Sequence, residues 1–159
     1  MTVVRRRPDH AEELLRRQKQ QLLDDIDSQI GQARLAGRTI SEGQDVVYAL
    51  KEAEARELLA KPRSAVTEKA FPMLSAEAGA TGRLALELAT DIVAAADLER
   101  TRLAMLEGLR MSFKARVKAA SSNLEADTAA TEFAAEVMRR EIPVASALAT
   151  RAAQQQEKI

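Results

Sequence analysis

From Leu84 to Leu124 apolar residues return mostly every three or four positions: Leu84, Leu88, Ile92, Ala95, Leu103, Leu106, Phe113, Val117, Ala120 and Leu124. That spacing lays them along one side of an α-helix and fits no strand, whose side chains alternate. Between Gly82 and Ser121 there is no proline and one glycine, Gly108. At a rise of about 1.5 Å per residue, residues 84–120 would make a helix about 55 Å long if unbroken. Such a helix cannot bury its own stripe. Either other helices of the chain fold back along it or further copies pair along it. The sequence therefore predicts an all-α fold: an antiparallel helical hairpin plus one long amphipathic helix, as a bundle or coiled coil in an oligomer.

Glycine and proline punctuate the rest. Pro8-Asp9 offers a start and Gly37 a stop for a first helix, whose apolar positions Leu15, Leu22, Ile26, Ile30 and Ala33 form a narrow stripe. Ser41 with Gln44 reads as a capping box opening a second helix, which carries Val46, Val47, Leu50, Leu58 and Leu59 and stops at Lys61-Pro62. These two would pair as the hairpin. Pro72 suits a first helical position and opens a short helix to Gly79, with Gly79 and Gly82 bracketing a turn. Ser121-Ser122-Asn123 ends the long helix, Ser122 with Glu125 forms a second capping box, and Pro143 breaks the helical stretch that this box opens. The expected organisation is a basic arm (1–8), a hairpin (9–61), a linker with a short helix (62–82), the long helix (83–120) and a C-terminal helical segment or tail (121–159).

With 46% hydrophobic residues but only 3% aromatic, the core must be built from Ala, Leu, Val and Ile. The chain has no cysteine, which removes disulfides, thiolate ligands and cysteine nucleophiles. His10 is the single histidine, beside Asp9 and near Glu12 and Glu13, and lacks the companions a metal site needs. Asp24, Asp25 and Asp27 do not match a calcium loop and read as a wet helix face. The glycines at 31, 37, 43, 79, 82 and 108 form neither dinucleotide nor Walker pattern. No metal, cofactor or catalytic residue is expected, and no run is apolar enough to be a leader or a membrane span.

Charged residues raise two further readings. Arg5, Arg6 and Arg7, with Arg110, Lys114 and Lys118 at four-residue steps, make two basic contact patches. The formal net charge is +0 and stacking aromatics are missing beside both patches, which argues against nucleic acid and for an acidic protein partner or plain hydration. Glu99 and Arg102 interrupt the long stripe, where they would fix register by pairing with each other or across an interface, or mark a kink. The apolar residues expected to carry helix packing are Leu22, Ile26, Ile30, Leu88, Ile92, Leu106, Phe113 and Val117.

The order Tyr48-Ala49-Leu50-Lys51-Glu52-Ala53-Glu54-Ala55-Arg56, then Phe71-Pro72-Met73-Leu74-Ser75-Ala76-Glu77-Ala78, then Leu88-Ala89 with Ile92, then Glu107, Arg110, Lys114, Val117 and Ala119-Ala120, resembles a helical module of small proteins encoded among the tail genes of tailed phages and prophages. The likeness spans about residues 24–120 and departs near Leu98 and Glu99, where the module carries a tryptophan. It implies a non-enzymatic structural or connector protein of a virion tail, tail fibre or baseplate, made in the host cytoplasm, partnered by other tail or fibre proteins and by its own copies. An assembly chaperone absent from the finished particle is the alternative within that biology. A small nucleic-acid-binding regulator is the alternative outside it.

Overall fold

A computed structural model of the chain describes residues 10–36, 43–61 and 70–156, with side chains as far as residue 140. Among the described residues there are five helices and no strand: α1 (His10–Leu35), α2 (Gln44–Ala60), α3 (Pro72–Thr81), α4 (Ala85–Ala119) and α5 (Asn123–Gln156). The all-α fold follows from a chain whose long stretches are Ala, Leu, Glu, Arg, Lys and Gln, the residues that lose least on entering a helix.

Helix ends show where local chemistry decided the outcome. Pro72 occupies the first turn of α3, and Gly82 closes it in the left-handed conformation at φ 69°, its N–H donating to the Ala78 carbonyl. Gly79 is helical and exposed rather than a cap. α2 begins after Gly43, at φ 77° with no side-chain cap; the Gln44 amide donates to the Tyr48 hydroxyl at 2.7 Å instead of turning back. Ser41, the expected cap, lies outside the described residues. Between α4 and α5 the second capping box forms with one change. The Glu125 N–H donates to Ser122 Oγ at 3.2 Å, while the Glu125 carboxylate accepts from the Ser121 N–H at 2.7 Å and the Ser121 hydroxyl at 2.8 Å, one residue ahead of the usual return bond. α5 then runs through Pro143 to Gln156, where a break was expected. Proline forfeits one ladder bond and crowds the preceding turn, and the alanine-rich helix formers around it outweigh that local cost.

The chain forms two compact units. One holds Met1–Gly37 and Ala104–Ile159, the other Arg38–Leu103. α1 therefore belongs to the first and α2 to the second, so the expected hairpin of these two helices organises neither unit. In the first unit α1, α5 and the later part of α4 enclose Ile26, Ile30, Leu106, Val117 and Phe133, all essentially inaccessible to solvent. Leu23, not Leu22, is the α1 residue turned inward; with Ile26, Ile30 and Ala33 it follows a 3-4-3 spacing, and Leu22 packs at the rim. In the second unit α2, α3 and the start of α4 enclose Ala55, Leu58, Phe71, Leu74, Leu88 and Ala89, with Ile92 alongside.

α4 remains helical through Gly108, which is solvent-exposed, and a methyl added there would meet nothing within 4 Å. Glycine in an exposed helix interior costs about 1 kcal/mol relative to alanine. Gly108→Ala is accordingly expected to stabilise the protein by about that amount, seen as a higher urea midpoint with an unchanged slope. An unchanged or lower midpoint would contradict an unbroken α4.

Candidate interaction surfaces

The long basic edge is already engaged inside the first unit. Arg110 donates to Glu107 through Nε at 2.9 Å and Nη2 at 2.6 Å, and reaches Asp27 of α1 at 3.0 Å. Lys114 pairs with the other oxygen of Asp27, and Arg34 of α1 pairs with Glu107 of α4. These contacts lace α1 to α4. The sequence suggested Arg110 and Lys114 as a contact for an outside partner, but α1 supplies their counter-charges, because Asp27 and Arg34 stand on the side of α1 that abuts α4. Lys118 is exposed, and its backbone carbonyl accepts from Lys19 at 3.0 Å. Arg5, Arg6 and Arg7 lie outside the described residues.

This lacing has a pH signature. Bonding to Arg110, reinforced by Arg34, holds the Glu107 carboxyl at about 2, well below its ordinary range. Lys114 and Arg110 depress Asp27 in the same direction. A carboxylate whose folded pKa is depressed contributes stability above its unfolded pKa, and that contribution is lost as pH falls toward the folded value. The melting temperature is expected to stay level from neutrality to about pH 5 and to fall from there toward about pH 2, followed by circular dichroism. A melting temperature that held or rose across that window would show that the lattice of ion pairs contributes nothing.

The second unit has its own network. Arg56 bonds Glu52 at 2.8 Å and also Asp97, while Arg100 bonds Glu52 and reaches Asp97 at 3.2 Å, so two helices are tied by four charges. Beneath it, Glu54 of α2 accepts the N–H groups of Met73 at 2.9 Å and Leu74 at 3.0 Å. A carboxylate from one helix thus caps the N-terminus of another, where Phe71 offers no capping side chain. Sequence reading missed this, since no local spacing marks a cap supplied from nineteen residues upstream. Arg102 is buried and bonds Glu99 one turn back at 2.9 Å; α4 runs on as helix through both, so the pair is made within the chain rather than at a break.

The apolar residues expected to carry packing lie inside the units: Ile26, Ile30, Leu106 and Val117 are buried with Leu22 and Phe113 at the edge, and Leu88 is buried beside Ile92. One chain covers these eight residues wholly or in part, while Leu84, Ala95 and Leu124 of the long stripe stay exposed. Further apolar surface remains. On α2, Val46, Val47, Tyr48 and Leu50 form an exposed cluster, with Val46 64% and Tyr48 54% accessible. In the first unit, Leu124 is 76% and Met138 70% accessible on the outer side of α5. Leu124 also borders two open grooves, of about 480 and 530 Å³, beside the α4–α5 turn. Scattered exposed leucines are ordinary; a contiguous group of large ones on one helix end is not. Among the described residues no group of three or more potential metal ligands comes together, and no helix is long and apolar enough to cross a membrane. Comparison with protein families, curated proteins and solved structures gives no match.

Proposed function

We propose that this chain is a structural connector acting through helix-to-helix packing, and that its setting is a phage tail, tail fibre or baseplate, as the resemblance of its sequence implies. The observation that carries the joining role is the exposed cluster Val46, Val47, Tyr48 and Leu50 at the N-terminal end of α2. Among the described residues none of the four belongs to the buried interior of their unit, to which the same helix contributes its later positions Ala55 and Leu58. Large apolar side chains kept in water gain about 25 cal/mol for each square ångström a partner removes. Engagement of Arg110 and Lys114 by Asp27 and Glu107 weighs against the nucleic-acid alternative.

Quantitative mass spectrometry of purified particles, from cells making a tagged copy of the chain, tests this reading. Expected is a fixed stoichiometry with the tail proteins, lost in Val46→Asp/Leu50→Asp, a variant at exposed positions that should keep its helical content. A chain missing from the particles removes the virion role and leaves the assembly chaperone. Incorporation undisturbed by the double substitution removes α2 as the joining surface.

A further inference from the structure

Over residues 94–104, α4 feeds neither core. The second unit draws on this helix as far as Ile92 and Val93, and the first begins to draw on it at Met105 and Leu106. Between them the one buried residue is Arg102, which bonds Glu99 of its own helix, while Ala94, Ala95, Leu98 and Thr101 are exposed. The break that Glu99 and Arg102 make in the sequence stripe is therefore also a break in apolar burial, about three helical turns long. α2 reaches this stretch through Arg56 with Asp97 and Arg100 with Glu52, ion pairs in which Asp97 and Arg100 are exposed and which contribute little.

The connectivity lets the two interiors part. The first unit is built from two segments that break off at Gly37 and resume at Ala104, and the second unit is the single segment between them. Lys19 of α1 bonds the Lys118 carbonyl, Asp27 bonds Arg110 and Lys114, and Arg34 bonds Glu107, so numbers rise along α1 as they fall along α4. These helices are antiparallel. α1 ends at Leu35, beside Arg34, and the first unit resumes one turn before Glu107, so this ion pair pins together the two places where the chain leaves and returns. Residues 38–103 are thus an insertion at one end of an antiparallel pair. Losing their structure would only lengthen a loop between two fixed points, at a cost that grows with the logarithm of its length.

We infer that residues 38–103 open as a cooperative unit of their own, α4 melting back to about Ala104, while α1, the later part of α4 and α5 stay folded. The second unit is the one that opens first. Among the described residues its interior holds six buried side chains against ten in the first, so less apolar surface resists its opening. The exposed cluster Val46, Val47, Tyr48 and Leu50 belongs to the unit that opens. The surface proposed for joining can therefore be remodelled while the other unit keeps its fold.

Native-state hydrogen exchange by mass spectrometry, on the full purified chain at urea concentrations below the unfolding midpoint, tests this. Expected are two families of slow amides: those of α2, α3 and residues 88–93 converge on one opening, and those of α1, residues 106–117 and residues 123–140 on a second, costlier one. Phe71→Ala should speed exchange in the first family about a hundredfold or more and leave the second at its wild-type rate. Phe133→Ala should do the reverse. Should an alanine variant fail to fold, Phe71→Leu and Phe133→Leu give the same pattern with changes of about tenfold. A single opening shared by all slow amides of the wild type, or either substitution speeding both families, overturns the inference. Exchange is read on the purified chain alone, so a chain missing from particles leaves this opening standing, and a single cooperative unit leaves the tail setting untouched.

Discussion

Phe133→Ala is expected to destabilise the protein by about 3–5 kcal/mol, the largest loss from any single truncation in the first unit. Phe133 is completely buried and meets Phe113 edge-on, with ring centroids 5.6 Å apart and planes at 61°. Phe113 in turn carries the Arg116 guanidinium 4.8 Å above its ring. The chain has no tryptophan and three phenylalanines, and, apart from the partly buried Phe113 and Met105 at its edge, the neighbours in this core are Leu, Ile, Val and Ala. None of them is large enough to fill the space an aromatic ring vacates, so the cavity persists and adds to the lost transfer energy. The aromatic pair itself is worth about 0.5–1.5 kcal/mol beyond area. Phe133→Leu keeps most of the volume and should cost under about 1.5 kcal/mol. Urea titration monitored by circular dichroism checks both. A loss below about 1 kcal/mol for the alanine variant would mean that α1, α4 and α5 do not close around this ring.

Phe113 was visible in the sequence because it stands in the stripe; Phe133 was not singled out, since it lies beyond the Ser121 interruption where a second, shorter pattern begins. That contrast runs through the whole molecule. Features written within one or two turns of helix could be read directly: Pro72 opening α3, the Ser122–Glu125 box, and α4 at Ala85–Ala119 against an expected 84–120. Features made by two distant segments could not. Asp27, the α1 partner that Arg110 and Lys114 share, stands more than eighty positions away, and nothing beside either residue announces it. Leu22 and Leu23 are equally good on a helical wheel, and only the packing of α1 against its unit shows that Leu23 turns inward. The hairpin expected from a short connection between α1 and α2 was a rule about neighbours in sequence. In the structure α1 and α2 fall in different units, and each unit takes a different part of α4 instead.

In the second unit Phe71→Ala should cost about 3–5 kcal/mol, with the loss toward the upper end of that range because its surroundings cannot collapse. Phe71 is 2% accessible, and the Lys61 ammonium lies 5.0 Å from its ring centroid. Ala55 and Ala89, both fully buried, are among its cluster neighbours, small residues that let helices approach closely but cannot extend into a void. The backbone is pinned as well. Glu54 holds the N–H groups of Met73 and Leu74, so the start of α3 stays in place when the ring is removed. Taken alone, Glu54→Ala should cost about 1 kcal/mol, as loss of a helix cap does. Combined, the two should cost less than their sum by at least about 0.5 kcal/mol, since an uncapped α3 can settle into the cavity that the capped helix must leave open. Equal and additive losses in a double-mutant cycle would show that the carboxylate serves only its own two hydrogen bonds. A shortfall would show that one acidic side chain on α2 fixes where α3 begins and, through it, how tightly this core is filled.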